Sequence, residues 1–193
     1  DFYPLKNKEL EAKILLLASE AKIPAEHVFE VNMAEKTNAL NAYVTGIGSN
    51  SRIVLWDTTL NKLSDDQILF IMAHEMAHYV EKHLYFGIAG YLLLSLLGLY
   101  ITYRLMNWAT SRWGKELKLG DIKDIRSLPL FFMILSILMF ASSPFSNFVS
   151  RYQEMRADRY AINMTENSDA AITSFQELTR SGLSQVNPPS LVK

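Results

Sequence analysis

The sequence predicts an α+β fold, mainly helical, with a small β-hairpin sheet and an inserted pair of membrane-spanning helices. Three observations carry that expectation. Two long uncharged blocks, "LYFGIAGYLLLSLLGLYITY" (84–103) and "LPLFFMILSILMFASSPFSNFV" (128–149), run 20 and 22 residues. Each matches the roughly 20-residue length at which a helix crosses a hydrocarbon core. Ahead of them, short stretches alternate apolar and polar residues in the manner of strands. Between and after them, apolar residues recur at helical spacing.

Residues 6–22, "KNKELEAKILLLASEAK", have that helical spacing and stop before Pro24. "VFEVNM" from Val28 alternates like a short strand. "NAYVTGIGSNSRIVLWD" divides into two strands, 42–47 and 52–57, around a polar turn at 48–51. A helix is expected from Ser64, whose hydroxyl can cap it, with Gln67 three residues on completing a capping box. The two apolar blocks follow, separated by a charged loop over 104–127 that carries Trp108 and Trp113, residues suited to a membrane interface. Pro144 is expected to kink or interrupt the second block. A helix then continues through 151–164, and an amphipathic stretch, "SDAAITSFQELTRSG", precedes the proline-broken tail "NPPSLVK". The expected organisation is 1–83 as the first part of a catalytic domain, 84–149 as a transmembrane hairpin, and 150–193 as the part that completes the domain. Both ends of the hairpin lie on one side of the membrane. Basic residues are shared between loop and flanks, so they do not orient it.

Composition narrows the function. The chain has 19 Lys and Arg against 20 Asp and Glu, a formal charge of -1, so no basic field invites nucleic acid. It has no cysteine, which excludes disulfides and thiolate metal sites. Any metal must be held by His, Asp or Glu. The chain opens at Asp1 without a signal-peptide pattern and is expected to be a processed product or a fragment.

The chemistry concentrates in "MAHEMAHYVEKH" (72–83). On a helix, His74 and His78 lie one turn apart on one face, so both imidazoles reach one cation. Glu75 projects about a quarter-turn round, placed to take a proton from an activated water rather than to ligate. Zinc suits two imidazoles, one carboxylate and an open fourth position. The alternative is a pair of helical histidines with no metal. For the third ligand, His83 is five residues past His78 and is expected to point to another face, and His27 reads as an ordinary surface residue. "SRYQEMRADRYAI" offers a better set, because Glu154 and Asp158 are i and i+4 on one helix. Glu154 would bind the metal, and Asp158 would accept the ring N–H of a ligating histidine and fix its orientation. By itself this segment also reads as an exposed charged helix. The upstream histidine pair decides between the two.

Taken together, "NAYVTGIGSNSRIVLWDTTL", "MAHEMAHYVEKH", two apolar spans and "SRYQEMRADRYA" resemble the integral-membrane zinc metalloproteases of the type I CAAX prenyl protease and HtpX group. The resemblance covers roughly residues 35–165 in order. It implies a zincin-like catalytic unit of the gluzincin type: one Zn2+ on His74, His78 and Glu154, Glu75 as general base and acid, and Asp158 behind His74. It also implies that Asn41, Ala42, Tyr43 and Val44 bind a peptide or membrane-protein substrate by adding it as a strand, with Asn41 near the scissile bond. The family normally carries further spans upstream and, downstream of a segment like "NPPSLVK", a His-Pro motif whose histidine helps to stabilise the oxyanion. Both are expected to lie outside this fragment.

Two other classes compete. A catalytically impaired membrane scaffold or chaperone could keep this fold, although an intact Glu75 speaks against it. A di-iron carboxylate bundle would need a second E-x-x-H, and the sequence has none besides 75–78. The expectation is therefore a zinc metalloendopeptidase integral to the lipid bilayer, with no nucleic-acid partner.

Overall fold

The computed structural model describes residues 2–46, 50–116, 118–119 and 121–182. It divides into two compact units, Asp1–His83 with Gln153–Lys193, and Leu84–Tyr152.

The first unit is built on a four-stranded sheet. Strands β1 (Phe2–Pro4), β2 (Val28–Val31), β3 (Ala42–Thr45) and β4 (Arg52–Trp56) lie in the order β1-β2-β4-β3. The anticipated hairpin is present as the antiparallel β3–β4 pair, with Ala42 opposite Leu55 and Thr45 opposite Arg52. Ile47 and the tip residues Gly48 and Ser49 fall outside the described residues. Strand β2 runs parallel to β4, and β1 closes the far side antiparallel to β2. A three-residue strand such as β1 carries no periodicity that a sequence could announce. Strand β3 is therefore an edge.

Helix α1 (Lys8–Glu20) is capped by the Asn7 side chain and buries Leu10, Ile14 and Ala18, spaced i, i+4, i+8. With Ile53, Leu55, Ile68, Met72 and Met76 these form the principal core. A short α2 (Asp57–Lys62) follows β4 directly. Its Asp57 carboxylate accepts from the Met33, Ala34 and Thr58 amides, anchoring the loop after β2 to the start of the helix. Helix α3 (Asp65–Val80) begins with the anticipated Ser64–Gln67 capping box, both reciprocal bonds present. Helix α6 (Ser168–Ser181), capped by Asn167, packs Ala170, Ala171 and Phe175 toward α3.

In the second unit, α4 (His83–Trp113) and α5 (Leu128–Thr165) are long and apolar enough to cross a membrane, with best windows of mean hydropathy 1.9 and 2.0. Among the described residues those windows are 0% and 6% buried. Helix α4 extends ten residues into the stretch expected as loop, because Arg104 to Trp113 keep helical hydrogen bonding beyond the apolar block. Trp108 and Trp113 meet edge-on at 4.8 Å between ring centroids.

The expected interruption at Pro144 does not occur: α5 is continuous through it. A proline cannot donate to the carbonyl four residues back, here that of Phe140. The Ser143 hydroxyl donates to that carbonyl at 2.8 Å and supplies the missing partner. Neighbouring Ser142 donates to the Met139 carbonyl. One helix thus carries both the second apolar block and the acidic segment after it, and contributes its final turns, from Gln153, to the first unit.

Candidate metal centre

The candidate metal-holding side chains and their ionisable partners belong to the first unit and come from α3, from the turn after it, or from the end of α5. The approach of the two helices rests on small residues. Ala73 on α3 and Ala161 on α5 are fully buried and pack with Phe70, Ala170 and Ala171. Ala157, one turn before Ala161, is equally buried, and Glu154 and Asp158 flank that alanine stripe. We expect Ala161→Leu to overpack this contact and destabilise the unit by about 1–3 kcal/mol. It should also weaken metal binding, because Glu154 would be pushed away from the histidines. Denaturant melting and zinc titration read the two effects separately, and an unchanged zinc affinity would show that the helix contact does not set the site.

The histidine ring nitrogens and the Glu154 carboxylate converge. His74 Nε2 lies 3.1 Å from His78 Nε2 and 3.3 Å from Glu154 Oε2, and His78 Nε2 lies 3.7 Å from Glu154 Oε1. One ligand atom from each residue fits within a 4.8 Å cluster. Two ligands of a tetrahedral zinc, each roughly 2.0–2.1 Å from the ion, sit about 3.3 Å apart, which is the scale of these separations.

Proton bookkeeping supports the same conclusion. His74 Nδ1 is 2.9 Å from Asp158 Oδ1, and a carboxylate only accepts, so Nδ1 carries the ring proton. With its ring proton held on Nδ1, His74 turns Nε2 toward a second imidazole and a carboxylate. Two imidazole nitrogens and a carboxylate oxygen gathered in this way form a donor set that could hold a metal ion. Burial, with the neighbouring His74 second, lowers the pKa of His78 and favours the neutral imidazole that a metal requires. Burial likewise raises the pKa of Glu75, with the nearby Glu154 adding to the shift and His74 opposing it. That places the Glu75 carboxyl closer to the neutral pH at which a proton shuttle works.

A cavity of about 230 Å³ opens beside this cluster. His74, Glu75 and Glu154 line it together with Asn41 and Ala42 from the edge strand and the apolar Phe70, Phe175 and Leu178. The Asn41 backbone is clamped by buried Thr59. The Asn41 amide donates to Thr59 Oγ1 at 2.9 Å, and Thr59 Oγ1 donates to the Asn41 carbonyl at 2.8 Å. Of the stretch 41–44, Tyr43 and Val44 are not among the cavity-lining residues and lie along the edge strand instead.

Several contributors were not legible beforehand. Thr59, Phe70, Phe175 and Leu178 carry no spacing signal tying them to the site. His83 was expected to face away, as it would on an unbroken helix. The helix instead ends at Val80, Lys82 takes a left-handed φ of 56°, and α4 restarts at His83. The break swings the His83 ring against His78, Nδ1 to Nδ1, at 2.9 Å.

Comparison with known proteins points to a metalloprotease family. Residues 4–192 match the model of Peptidase family M48. The chain is 63% identical over 193 residues to "Uncharacterized metalloprotease YhfN" of Bacillus subtilis, covering all of this chain and 45% of that protein. It is 31% identical over 181 residues to a "CAAX prenyl protease 1 homolog" of Oryza sativa, covering 91% of this chain and 42% of the relative. The crystal structure of S. mikatae Ste24p superposes with a TM-score of 0.66 at 24% identity, over 99% of this chain and 46% of that one. The chain therefore spans a little under half the length of these relatives.

Proposed function

Because this chain belongs to Peptidase family M48, we propose that it is the core of a membrane-integral zinc endopeptidase acting on peptide or membrane-associated protein substrates. The observation that carries the proposal is the convergence of His74, His78 and Glu154 within one cluster, with Glu75 in the cavity beside it. In this reading His74, His78 and Glu154 hold the ion, and Asp158 holds the His74 ring in its metal-binding tautomer. An ion held by these three residues would supply Lewis-acid chemistry and lower the pKa of water. Glu75 takes the proton of the attacking water on a carboxylate oxygen and passes it to the leaving amine nitrogen. The two long apolar helices support placement in a bilayer.

The edge strand provides for the substrate. In the β3–β4 ladder the Trp56 amide bonds the Asn41 carbonyl, so the hydrogen-bonded pairs fall at 41, 43 and 45. The backbone groups of Ala42 and Val44 consequently point away from β4, toward the open edge. An extended peptide adding there would pair with them and run past Glu75. Phe70, Phe175 and Leu178 favour an apolar side chain in the adjoining cavity.

The direct test is hydrolysis of an unstructured peptide by the zinc-loaded chain in detergent, abolished by a chelator and restored by zinc. Retained zinc without hydrolysis would favour the scaffold reading. Val44→Pro tests strand addition, since it removes an outward N–H without touching a ladder bond. Losing one such bond should lower kcat/KM by about 2–10-fold and leave zinc content alone. Unaltered kcat/KM would place the substrate elsewhere.

A further inference from the structure

The geometry points to His83 as a positioning residue for the metal centre: with Glu81 and Arg156 it fixes the tautomer of His78, as Asp158 fixes that of His74. The inference rests on the zinc reading above and extends it to three residues with no assigned role.

A chain of contacts leads from His78 to Arg156. His78 Nδ1 lies 2.9 Å from His83 Nδ1, and His83 Nε2 lies 2.9 Å from Glu81 Oε2. Arg156 holds Glu81 with two contacts, Nε to Oε2 at 2.8 Å and Nη2 to Oε1 at 3.0 Å. The guanidinium fork donates to both carboxylate oxygens, so Glu81 meets His83 as a hydrogen-bond acceptor. The proton between Glu81 and His83 therefore sits on His83 Nε2. With its single ring proton on Nε2, His83 offers Nδ1 as an acceptor to His78. The proton in the next contact must come from His78, from its Nδ1. That leaves His78 Nε2 bare, and Nε2 is the atom that faces His74 Nε2 and Glu154. Each hydrogen bond holds one proton, and the accepting Glu81 sets the direction of all of them.

The chain also ties the two metal-bearing elements together. Glu81 and His83 follow the histidine helix, whereas Arg156 lies between Glu154 and Asp158 on α5. The His83 side chain is only 10% exposed, so water does not substitute for it readily. Its placement depends on the break at Lys82, whose left-handed backbone turns the chain between α3 and α4.

Two variants separate this role from simple packing. His83→Phe keeps an aromatic ring and removes the acceptor. His83→Asn restores an oxygen near the Nδ1 position. Outer-shell partners of metal ligands typically contribute about 10–100-fold in affinity. We expect zinc affinity, measured by chelator competition on the full chain in detergent, to fall by about that factor in His83→Phe and to recover largely in His83→Asn. The melting temperatures of the metal-free proteins are measured alongside. In metal-free wild type, long-range 1H–15N correlations should show the His78 proton on Nδ1, and His83→Phe should lose that preference. Wild-type zinc affinity in His83→Phe would overturn the inference, as would a His78 proton on Nε2 in the wild type. Failure of the wild type to bind zinc would overturn the metal reading, and the NMR tautomer would still report on the His83 contact by itself.

Discussion

Glu75→Gln leaves zinc bound and reduces peptide hydrolysis by about 10²–10⁴-fold, the range over which a positioned general base acts. The physical reason is that glutamine matches glutamate in size and hydrogen-bonding reach but cannot take a proton. Glu75 stands beside the ligands rather than among them. It lines the cavity with His74 and Glu154 but is absent from the three-residue cluster. Removing its charge should therefore spare the metal. Initial rates on an unstructured peptide, together with zinc per chain after removal of loosely held ions, make the comparison. A variant that loses zinc along with activity would move Glu75 into the ligand set, and a fully active variant would remove it from the reaction.

His74→Ala and Glu154→Ala each lose zinc by more than the 10–100-fold typical of an outer-shell change, because each removes a donor atom outright. The two substitutions test different things. His74 lies on the same helix as His78, and its loss breaks the pair. Glu154 arrives from a helix eighty residues further along the chain. A zinc content in Glu154→Ala equal to wild type would leave the histidine pair standing and exclude the third ligand. Glu154 is also about half exposed, with its side chain at 55%, so its removal should cost little folding stability. Loss of zinc without loss of the metal-free fold is the signature expected of a ligand rather than a packing residue. A fall in metal-free stability comparable to that of Ala161→Leu would count against it.

The local parts of this protein were written in the sequence because local physics determines them. Helix α3 starts where Ser64 and Gln67 form a capping box, which needs only residues within one turn of each other. His74 and His78 share a face because 3.6 residues make a turn. The two uncharged blocks in the first parts of α4 and α5 are legible from composition alone. Even the relation between Glu154 and Asp158 is a property of one helix.

What the sequence could not determine depends on contacts between segments far apart, or on backbone states that several residue types can adopt. The Asp158–His74 contact was implied by the family resemblance, but its physical basis, the packing of Ala161 on α5 with Ala73 on α3, carries no signal in the sequence. Pro144 reads as an interruption until Ser143 is seen to serve the carbonyl it leaves bare. Strand β2 runs parallel to β4 rather than joining a simple meander, which leaves β3 as the edge beside Glu75. His83 is the sharpest case. Helical periodicity sends it away from His78, and a left-handed Lys82, where glycine would be the usual residue, turns it back. Periodicity extends only as far as the helix does, and this one ends at a left-handed lysine that the residue pattern does not announce.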